Sequence, residues 1–350
     1  MPNNKLVPSV HYDLEAANDR HVFDDQRTPS KRTARAYIGI SGWRYPPWRG
    51  VFYPEDLRQA AELRFASRAF SSIEINGSFY SLIRPETYQA WYDETPEGFS
   101  FAVKGGRYIT HLKRLKDVQA PLANFFASGL LRLREKLGPI LWQLPPQQVF
   151  DEAKLRAFFE LLPRSTLQAS ALAAQHDQRL TGRSELRAFT DLPLRHALEV
   201  RHASFVQPAF IDLLKEYRIA ACVADTAALF PCIEDVTADF VYVRLHGSTE
   251  LYTSGYTTRE LSHWAGRIQR WRAGQSSPKE VRISAAVPQR KTRDVYVYFD
   301  NDVKVRAPFD AINLQRLLDG QRPLRPPKVL NGVTETPLTD WSRWKNLSKK

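Results

Sequence analysis

Short apolar runs alternate with segments of helical periodicity along most of the chain. Eight runs have strand length and are rich in β-branched and aromatic residues. They are YIGIS from Tyr37, SIEIN from Ser72, FAVK from Phe101, ILWQL from Ile140, HALEV from His196, AACVAD from Ala220, FVYVRLH from Phe240 and VYVYFD from Val295. Stretches between them, such as 152–162 and 259–271, repeat apolar residues every three or four positions. The alternation predicts parallel strands joined by crossover helices.

Eight such strands within 37–320 match the size of a single (β/α)8 TIM-type barrel. An open, doubly wound sheet that binds a dinucleotide would need a glycine-rich turn after its first strand, and only Gly39 and Gly42 occur there. The pattern therefore predicts an α/β chain with one closed barrel. We expect a flexible N-terminal arm over 1–36, the barrel over 37–320 with surface insertions at 163–194 and 273–294, and a basic C-terminal tail over 321–350.

The net charge of +12 is concentrated outside the predicted barrel strands. Lys and Arg outnumber Asp and Glu by five in 321–350 and by three in 273–294. Charge placed this way favours weak, non-specific nucleic-acid binding through the tail, because clustered cations attract phosphates without reading sequence. It does not favour a basic stripe across the barrel itself.

The start of the chain has neither the basic beginning nor the apolar stretch of a signal peptide, and no apolar run approaches the length that crosses a membrane. We expect a cytoplasmic protein with no membrane attachment. Cys222 and Cys232 have no metal-binding spacing and are too few for a disulfide framework, so both are expected to be small buried residues. The sequence does not define the oligomeric state.

Polar residues collect at the carboxyl ends of the predicted strands. Alternate residues of a strand point to the same side, and the active sites of TIM barrels lie at the C-terminal ends of the strands. This periodicity predicts that seven candidate catalytic residues converge in the barrel mouth: Glu74, Lys104, Glu199, Arg201, Asp225, Arg244 and His246.

The loops that follow these strands supply aromatic and basic side chains. Aromatic faces beside carboxylates and amides suit sugar rings or nucleobases, and the basic stretch 107–116 suits a phosphate or carboxylate. The mouth is therefore expected to bind a small polar or anionic ligand. The candidate binding residues are Trp43, Asn76, Phe79, Tyr80, Arg107, His111, Gln143, His202, Tyr252 and Tyr256.

Two interpretations of the charged residues remain open at this point. They form either a structural lattice of buried ion pairs or a ligand cavity that uses some of the same groups. The two differ at Glu199, because a lattice would make Glu199→Gln strongly destabilising and a ligand site would tolerate it. The crowding of polar groups at strand ends favours the ligand cavity, so we expect the substitution to be tolerated.

The chain resembles the domain of unknown function 72 family, the YecE-like TIM-barrel proteins. The similar segments, in order, are GISGWRYPPWRGVFYP, SIEINGSFY, PETYQAWYDETPEGFSFAVKGGRYITHLKRLKD, LGPILWQLPP, EVRHASF, VADT, DFVYVRLHG and VYVYFDND, within residues 37 to about 320. The resemblance implies a (β/α)8 barrel and no established reaction. The chain departs from the family pattern after the last strand, with Asp300 in place of the usual Asn and Val305 where Gly is common.

Three kinds of function fit these residues. A sugar isomerase or epimerase would use Mn or Mg held by Glu199, Asp225, His246 and Asp300, which follow strands five to eight in order. Metal-free acid–base or hydrolytic chemistry would divide the acid and base roles between Glu74 and Glu199 and stabilise charge with Lys104, Arg201 or His246. A nucleic-acid-binding protein or barrel phosphodiesterase is the third class, and a non-catalytic binding protein is a separate alternative.

Overall fold

In the computed structural model of the chain, which describes residues 34–285 and 291–324, eight parallel strands close into a barrel in chain order. The last strand pairs with the first, so the sheet has no free edge. The predicted TIM-type barrel is confirmed. The strands are β1 (Ala36–Ser41), β2 (Ser72–Ile75), β3 (Ser100–Lys104), β4 (Leu137–Gln143), β5 (His196–Glu199), β6 (Ala220–Asp225), β7 (Phe240–Leu245) and β8 (Asp294–Phe299).

Helices connect most of these strands, and several begin at residues that fix a helix start. Pro85 and Pro208 open two of them, and the side chains of Asp151, Ser165 and Thr257 accept hydrogen bonds from backbone N–H groups of the first turn in three others. The helices are α1 (Glu62–Ala69), α2 (Gly77–Tyr80), α3 (Pro85–Glu94), α4 (Gln119–Ala127), α5 (Glu152–Leu161), α6 (Thr166–Ala173), α7 (Pro208–Glu216), α8 (Thr258–Arg272) and α9 (Arg306–Leu318).

The strands sort their side chains into two separate apolar clusters, as the period of two requires. The larger cluster lies between the strands and the helices and includes Ile73 and Ile75 of β2. The smaller cluster fills the barrel and includes Tyr242 of β7 and Tyr298 of β8, whose rings lie 5.2 Å apart. Tyrosines and alanines therefore close the lower barrel, and the polar residues are left at the carboxyl ends of the strands.

Two connections differ from a regular strand and helix alternation. The segment after α4 turns at Gly129, where φ is +111° and a Cβ atom would lie 2.5 Å from Cα of Pro85, so this position requires glycine. The chain then continues in 3-10 turns over Leu130–Lys136, with a kink at Arg134, whose φ is positive. Between β6 and β7, residues 226–239 contain no helix, and Thr237 hydrogen-bonds to the backbone of Ile219 and Ala221 beside β6.

The parts outside the barrel strands agree only partly with the expected boundaries. Residues 1–33, 286–290 and 325–350, which hold most of the predicted arm and tail, lie outside the described residues. In the described part of 273–294, the backbone N–H groups of Ile283 and Ser284 donate hydrogen bonds to Asp235, which lies in the connection between β6 and β7. Its last residue, Asp294, belongs to β8.

Two smaller expectations concern the cysteines and the membrane. Cys222 is buried as predicted, whereas Cys232 is exposed, because it lies in the irregular connection after β6; both are free thiols. Among the residues that the structure describes, no helix is long and apolar enough to cross a bilayer.

Candidate active site

Arg244 forms the centre of the polar cluster in the barrel mouth. It lies near the end of β7, two residues after Tyr242, and its side chain is fully buried. Its guanidinium donates to Glu74 at 2.9 and 3.1 Å, to Glu199 at 2.9 Å and to Asp300 at 2.7 Å. One planar cation thus joins carboxylates from β2, β5 and the end of β8, as the fixed donors of arginine allow.

The two glutamates have little hydrogen-bonding capacity left for a ligand. Glu74 also accepts from Ser41 and from the Tyr242 hydroxyl, the latter at 2.6 Å. Glu199 also accepts from Gln143 at 2.8 Å and from Arg201 at 3.0 Å, and neither glutamate side chain is exposed. These contacts favour the structural-lattice interpretation for both glutamates.

The electrostatics of Glu199 and Asp300 are set by their cationic neighbours. Burial alone would raise the pKa of Glu199, but Arg244 and Arg201 outweigh it and hold that pKa well below the usual range. Burial would also raise the pKa of Asp300, but Arg244 and His246 outweigh burial and bring that pKa below its ordinary value. His246 Nδ1 lies 3.1 Å from Asp300 Oδ2. Both acids are therefore carboxylates at neutral pH.

A cavity of about 410 Å³ opens above this network, at the carboxyl ends of the strands. Its volume suits a small molecule, and aromatic and charged groups from several loops face it. The cavity contains two cations, Lys104 and Arg107, and one carboxylate, Asp300, which already pairs with Arg244. The lining residues are Tyr45, Asn76, Phe79, Tyr80, Lys104, Arg107, His111, Gln143, Tyr252 and Asp300.

Lys104 ends β3 and points its amine into the cavity. Nζ lies 4.5 Å from the centre of the Phe79 ring, and it makes no hydrogen bond or ion pair with any residue in the described ranges 34–285 and 291–324. Burial, reinforced by the charge of Arg244, lowers the pKa of Lys104 to about 8. The residue after it, Gly105, lacks a side chain because a Cβ atom would enter the Trp142 ring.

The segment after β3 brings Arg107 and His111 to the same cavity. It contains a π-helical turn, Tyr108–Leu112, a rare geometry that is frequent at functional sites. The His111 ring meets Phe79 edge to face at 5.1 Å. Burial, then the charge of Lys104, lowers the pKa of His111 to about 4, so its imidazole is neutral at pH 7.

Backbone strain is concentrated on this face of the barrel. Nine described residues other than glycine have positive φ, and seven of them lie in loops that follow strands. Such conformations cost free energy and gather at binding sites. Tyr252, a lining residue, has φ +63°, and its hydroxyl accepts from Arg201 at 3.3 Å. The seven residues are Arg114, Leu115, Asp117, Ala227, Ala228, Tyr252 and Val305.

The structure places Asp225 outside the charged network. Asp225 has the parity of Ala221 and Val223, which pack in the outer cluster, and its carboxylate accepts from the Tyr256 hydroxyl at 3.1 Å. The inward placement expected from the sequence is therefore incorrect, because the last residue of β6 follows the outer parity. Tyr256 itself packs on Phe299 of the outer cluster and does not line the cavity.

Two other predicted binding residues also lie away from the cavity. The Trp43 ring packs edge-on against Trp91, and its carbonyl accepts from Tyr53 at 2.7 Å, so it belongs to the core under the first loop. His202 turns back on its own loop, where Nδ1 lies 2.9 Å from the Ser204 hydroxyl. The other predicted binding residues line the cavity, and Arg201 and His246 lie in the network below it.

The residues predicted to hold Mn or Mg do not fit a divalent cation. Arg244 forms ion pairs with carboxylate oxygens of Glu199 and Asp300. The Asp225 carboxylate accepts from the Tyr256 hydroxyl, away from this network. Across the described part of the chain, no three His, Cys, Asp or Glu side chains are grouped as metal ligands. A guanidinium therefore stands where the predicted metal would need to be, and it neutralises the same carboxylates.

Three residues of this site, Ser41, Tyr45 and Tyr242, were absent from the predicted set. Tyr242 lies two residues before Arg244 on β7 and therefore points to the same side of the strand. The strand alternation could thus have predicted that Tyr242 lies beside Glu74. Tyr45 lines the cavity, and its hydroxyl donates to the Ser41 carbonyl at 2.5 Å. No periodic signal marks Tyr45, since it lies in an irregular loop.

The closed parallel barrel, with a polar cavity at the carboxyl ends of its strands, places the chain in the TIM-barrel class. Within that class, the family model described as "Protein of unknown function DUF72" matches residues 37–331. The chain belongs to this family, as the resemblance of its segments implied.

Curated relatives match part of the chain. The UPF0759 protein YunF of Bacillus subtilis is 30% identical over 115 residues, which cover 31% of this chain and 40% of that protein. The UPF0759 protein YecE of Escherichia coli is 27% identical over 128 residues, which cover 36% of this chain and 43% of that protein. The match thus spans about two fifths of the length of these relatives.

Solved structures of the family share the architecture. A DUF72 family protein from Thermotoga maritima aligns with a TM-score of 0.63 at 23% identity, over 81% of this chain and 99% of that one. A DUF72 family protein from Enterococcus faecalis aligns with a TM-score of 0.58 at 16% identity, over 81% of this chain and 95% of that one. At these identities the similarity shows the fold alone.

Proposed function

We propose that this protein is an enzyme that binds a small anionic substrate in the barrel mouth and acts on it by acid–base chemistry of its own side chains. The supporting observation is the amine of Lys104. It is buried, faces the cavity and has no hydrogen-bonding or ion-pairing partner in the described residues. A buried cation without a partner is costly unless a ligand supplies the opposite charge.

The other groups of the cavity fit the same proposal. Arg107 gives a second cation at the rim, with the donors of a guanidinium for a carboxylate or phosphate. Asn76 and Gln143 also line the cavity with side-chain amides, and one N–H of each already donates to the protein, to Ser41 and to Glu199. The anionic part of a substrate would therefore lie between Lys104 and Arg107, with its remaining polar atoms on the amides.

The acid and base roles pass to groups that face the cavity. Glu74 and Glu199 are enclosed by their donors and do not line it. His111 is neutral at pH 7 and can accept a proton, and Asp300 is a carboxylate beside the cavity. We assign the base role to His111, the acid role to the ammonium form of Lys104, and to Glu74 and Glu199 the task of holding Arg244.

Calorimetric titration of the full chain with inorganic phosphate, acetate and pyruvate tests the proposal. At least one of these anions should bind, and Lys104→Met should weaken its binding by about tenfold or more, because a buried charge pair is lost. Lys116→Met is the matched control, since Lys116 is exposed on the same segment and does not line the cavity. Equal affinity of the wild type and Lys104→Met for every anion would contradict the proposal.

Binding that depends on Lys104 but leads to no reaction would support the anion site and count against the enzyme. Proton exchange from the methyl group of pyruvate in heavy water, followed by NMR, separates the two. Exchange above the rate of the free compound, reduced in His111→Gln, supports acid–base chemistry. A rate equal to that of the free compound for every carbonyl anion that binds would make the mouth a binding site only.

A further inference from the structure

The cavity holds an amine without a hydrogen bond or ion pair to the described residues, and a cation, Arg107, that could orient an anion beside it. Nζ of Lys104 contacts the Phe79 ring and has no hydrogen-bonding partner in the described residues, although Asp300 lines the same cavity. The Asp300 carboxylate is paired with Arg244 at 2.7 Å instead. The amine is therefore free to approach a ligand atom, which an ion-paired lysine is not.

The state of the amine also suits a nucleophile. Burial lowers the pKa of Lys104 to about 8, so about a tenth of the molecules carry the neutral amine at pH 7. Desolvation in an apolar pocket and a neighbouring cation are the two means by which proteins activate lysine nucleophiles. Phe79 and Arg244 provide both at this position.

We propose that Lys104 is a catalytic nucleophile that forms an imine with a small carbonyl compound bearing an anionic group, such as a 2-oxo acid. The inference rests on the proposed anion site and names the substrate class of that site. Arg107 would orient the carboxylate of such a compound, and its carbonyl carbon would lie at Lys104. A cavity of about 410 Å³ accommodates a compound of this size.

The step balances without a further reagent. Neutral Nζ attacks the carbonyl carbon, and the carbonyl oxygen takes up a proton to give a carbinolamine. Loss of the hydroxyl group with one more proton releases water and leaves a protonated imine. Overall, the ammonium form of Lys104 and the carbonyl compound give the iminium ion and one water molecule. His111, whose ring packs on the same Phe79, is the neutral group that relays the proton from nitrogen to oxygen.

Reductive trapping tests the imine. The full chain is incubated with pyruvate, and separately with glyoxylate, in the presence of cyanoborohydride, and peptides are mapped by mass spectrometry. We expect the reduced adduct at Lys104 to exceed that at the exposed Lys116 by about tenfold or more. Lys104→Arg keeps the cation and should abolish trapping, and Lys104→Met should lose both trapping and anion binding. Lys116→Met should trap like the wild type.

The outcomes separate this inference from the proposed function. Pyruvate binding that depends on Lys104 without an adduct at Lys104 would overturn the imine and leave the anion site intact. Adducts spread evenly over the surface lysines would also overturn it. If neither carbonyl compound binds or is trapped, the imine is overturned, and the anion site is overturned with it only if phosphate and acetate also show no binding that depends on Lys104. Trapping confined to Lys104 supports both proposals.

Discussion

The amine of Lys104 is held in the folded protein at a cost that a ligand would remove. Burial opposes its charged form, and no side chain in the described residues makes a hydrogen bond with it. Functional groups of this kind commonly reduce the stability of the free protein. Lys104 therefore connects stability with binding at the level of a single residue.

Lys104→Met should stabilise the ligand-free protein at pH 7. The pKa of Lys104 falls from 10.5 to about 8 on folding, so removal of the charge should gain up to about 3 kcal/mol. Because the folded pKa is the lower one, wild-type stability should recover as pH rises from about 8 to 10.5, and the advantage of the variant should shrink there. Urea unfolding at pH 7 and pH 10 measures both effects; a variant less stable at pH 7 would contradict the burial argument.

Glu199→Gln should destabilise the protein strongly. The amide cannot neutralise Arg244 and Arg201, and breaking a buried pair costs about 3–5 kcal/mol. This reverses the tolerance expected from the sequence, because the structure encloses the carboxylate with three donors. Urea unfolding at pH 7 is the measurement.

The pH dependence of the same variant gives an independent check. Since the folded pKa of Glu199 is depressed, its contribution is complete above its ordinary pKa of 4.5 and is lost as pH falls below it. The difference between wild type and variant should therefore shrink in acid. The exposed Glu55→Gln is the control and should change little. A cost under about 1 kcal/mol for Glu199→Gln, as in surface pairs, would show that Glu199 is not a lattice member.

At the scale of elements, the strand period explains which site residues the sequence could predict. Glu74, Glu199 and Arg244 meet because each has inward parity on its strand, and that parity does not depend on distant contacts. The period gives no information beyond the strands. Trp43 and His202 lie in irregular loops, where their positions depend on packing with Trp91 and Ser204.

The break after α4 can be tested with two glycines. Gly129→Ala should cost about 2 kcal/mol or more, because φ is +111° and the new Cβ atom would meet Pro85. Gly266→Ala, inside α8 with open space around it, should instead gain about 0.5–1 kcal/mol from helix propensity. Thermal unfolding measures both. Equal effects of the two substitutions would mean that helix propensity, and not the contact with Pro85, decides position 129.

For the molecule as a whole, the excess positive charge and the barrel mouth are separate features. The mouth holds a nearly balanced set of charges, whereas the surplus lies in 321–350 and 273–294. Any nucleic-acid affinity should therefore come from those segments, be insensitive to sequence and fall steeply with salt.

Removal of this charge tests the separation. A chain that ends near residue 325 and has Lys279→Gln and Lys291→Gln should lose most binding to DNA or RNA in a fluorescence titration, because both lysines are exposed. Binding of small anions at the mouth should stay within about twofold, since no lining residue is changed. Undiminished, sequence-selective nucleic-acid binding by this variant would make the barrel a nucleic-acid interface.

The pKa of Lys104, measured with and without a small anion, shows whether the barrel mouth binds anions through a desolvated amine. NMR of the chain labelled with ¹³C at lysine Cε follows the titration, and Lys104→Met assigns the signal. The free protein should give a value near 8, and bound phosphate or pyruvate in rapid exchange should raise it, because an anion stabilises the ammonium form. A value near the ordinary 10.5 that no anion changes would contradict the account of the mouth as an anion site built around a desolvated amine.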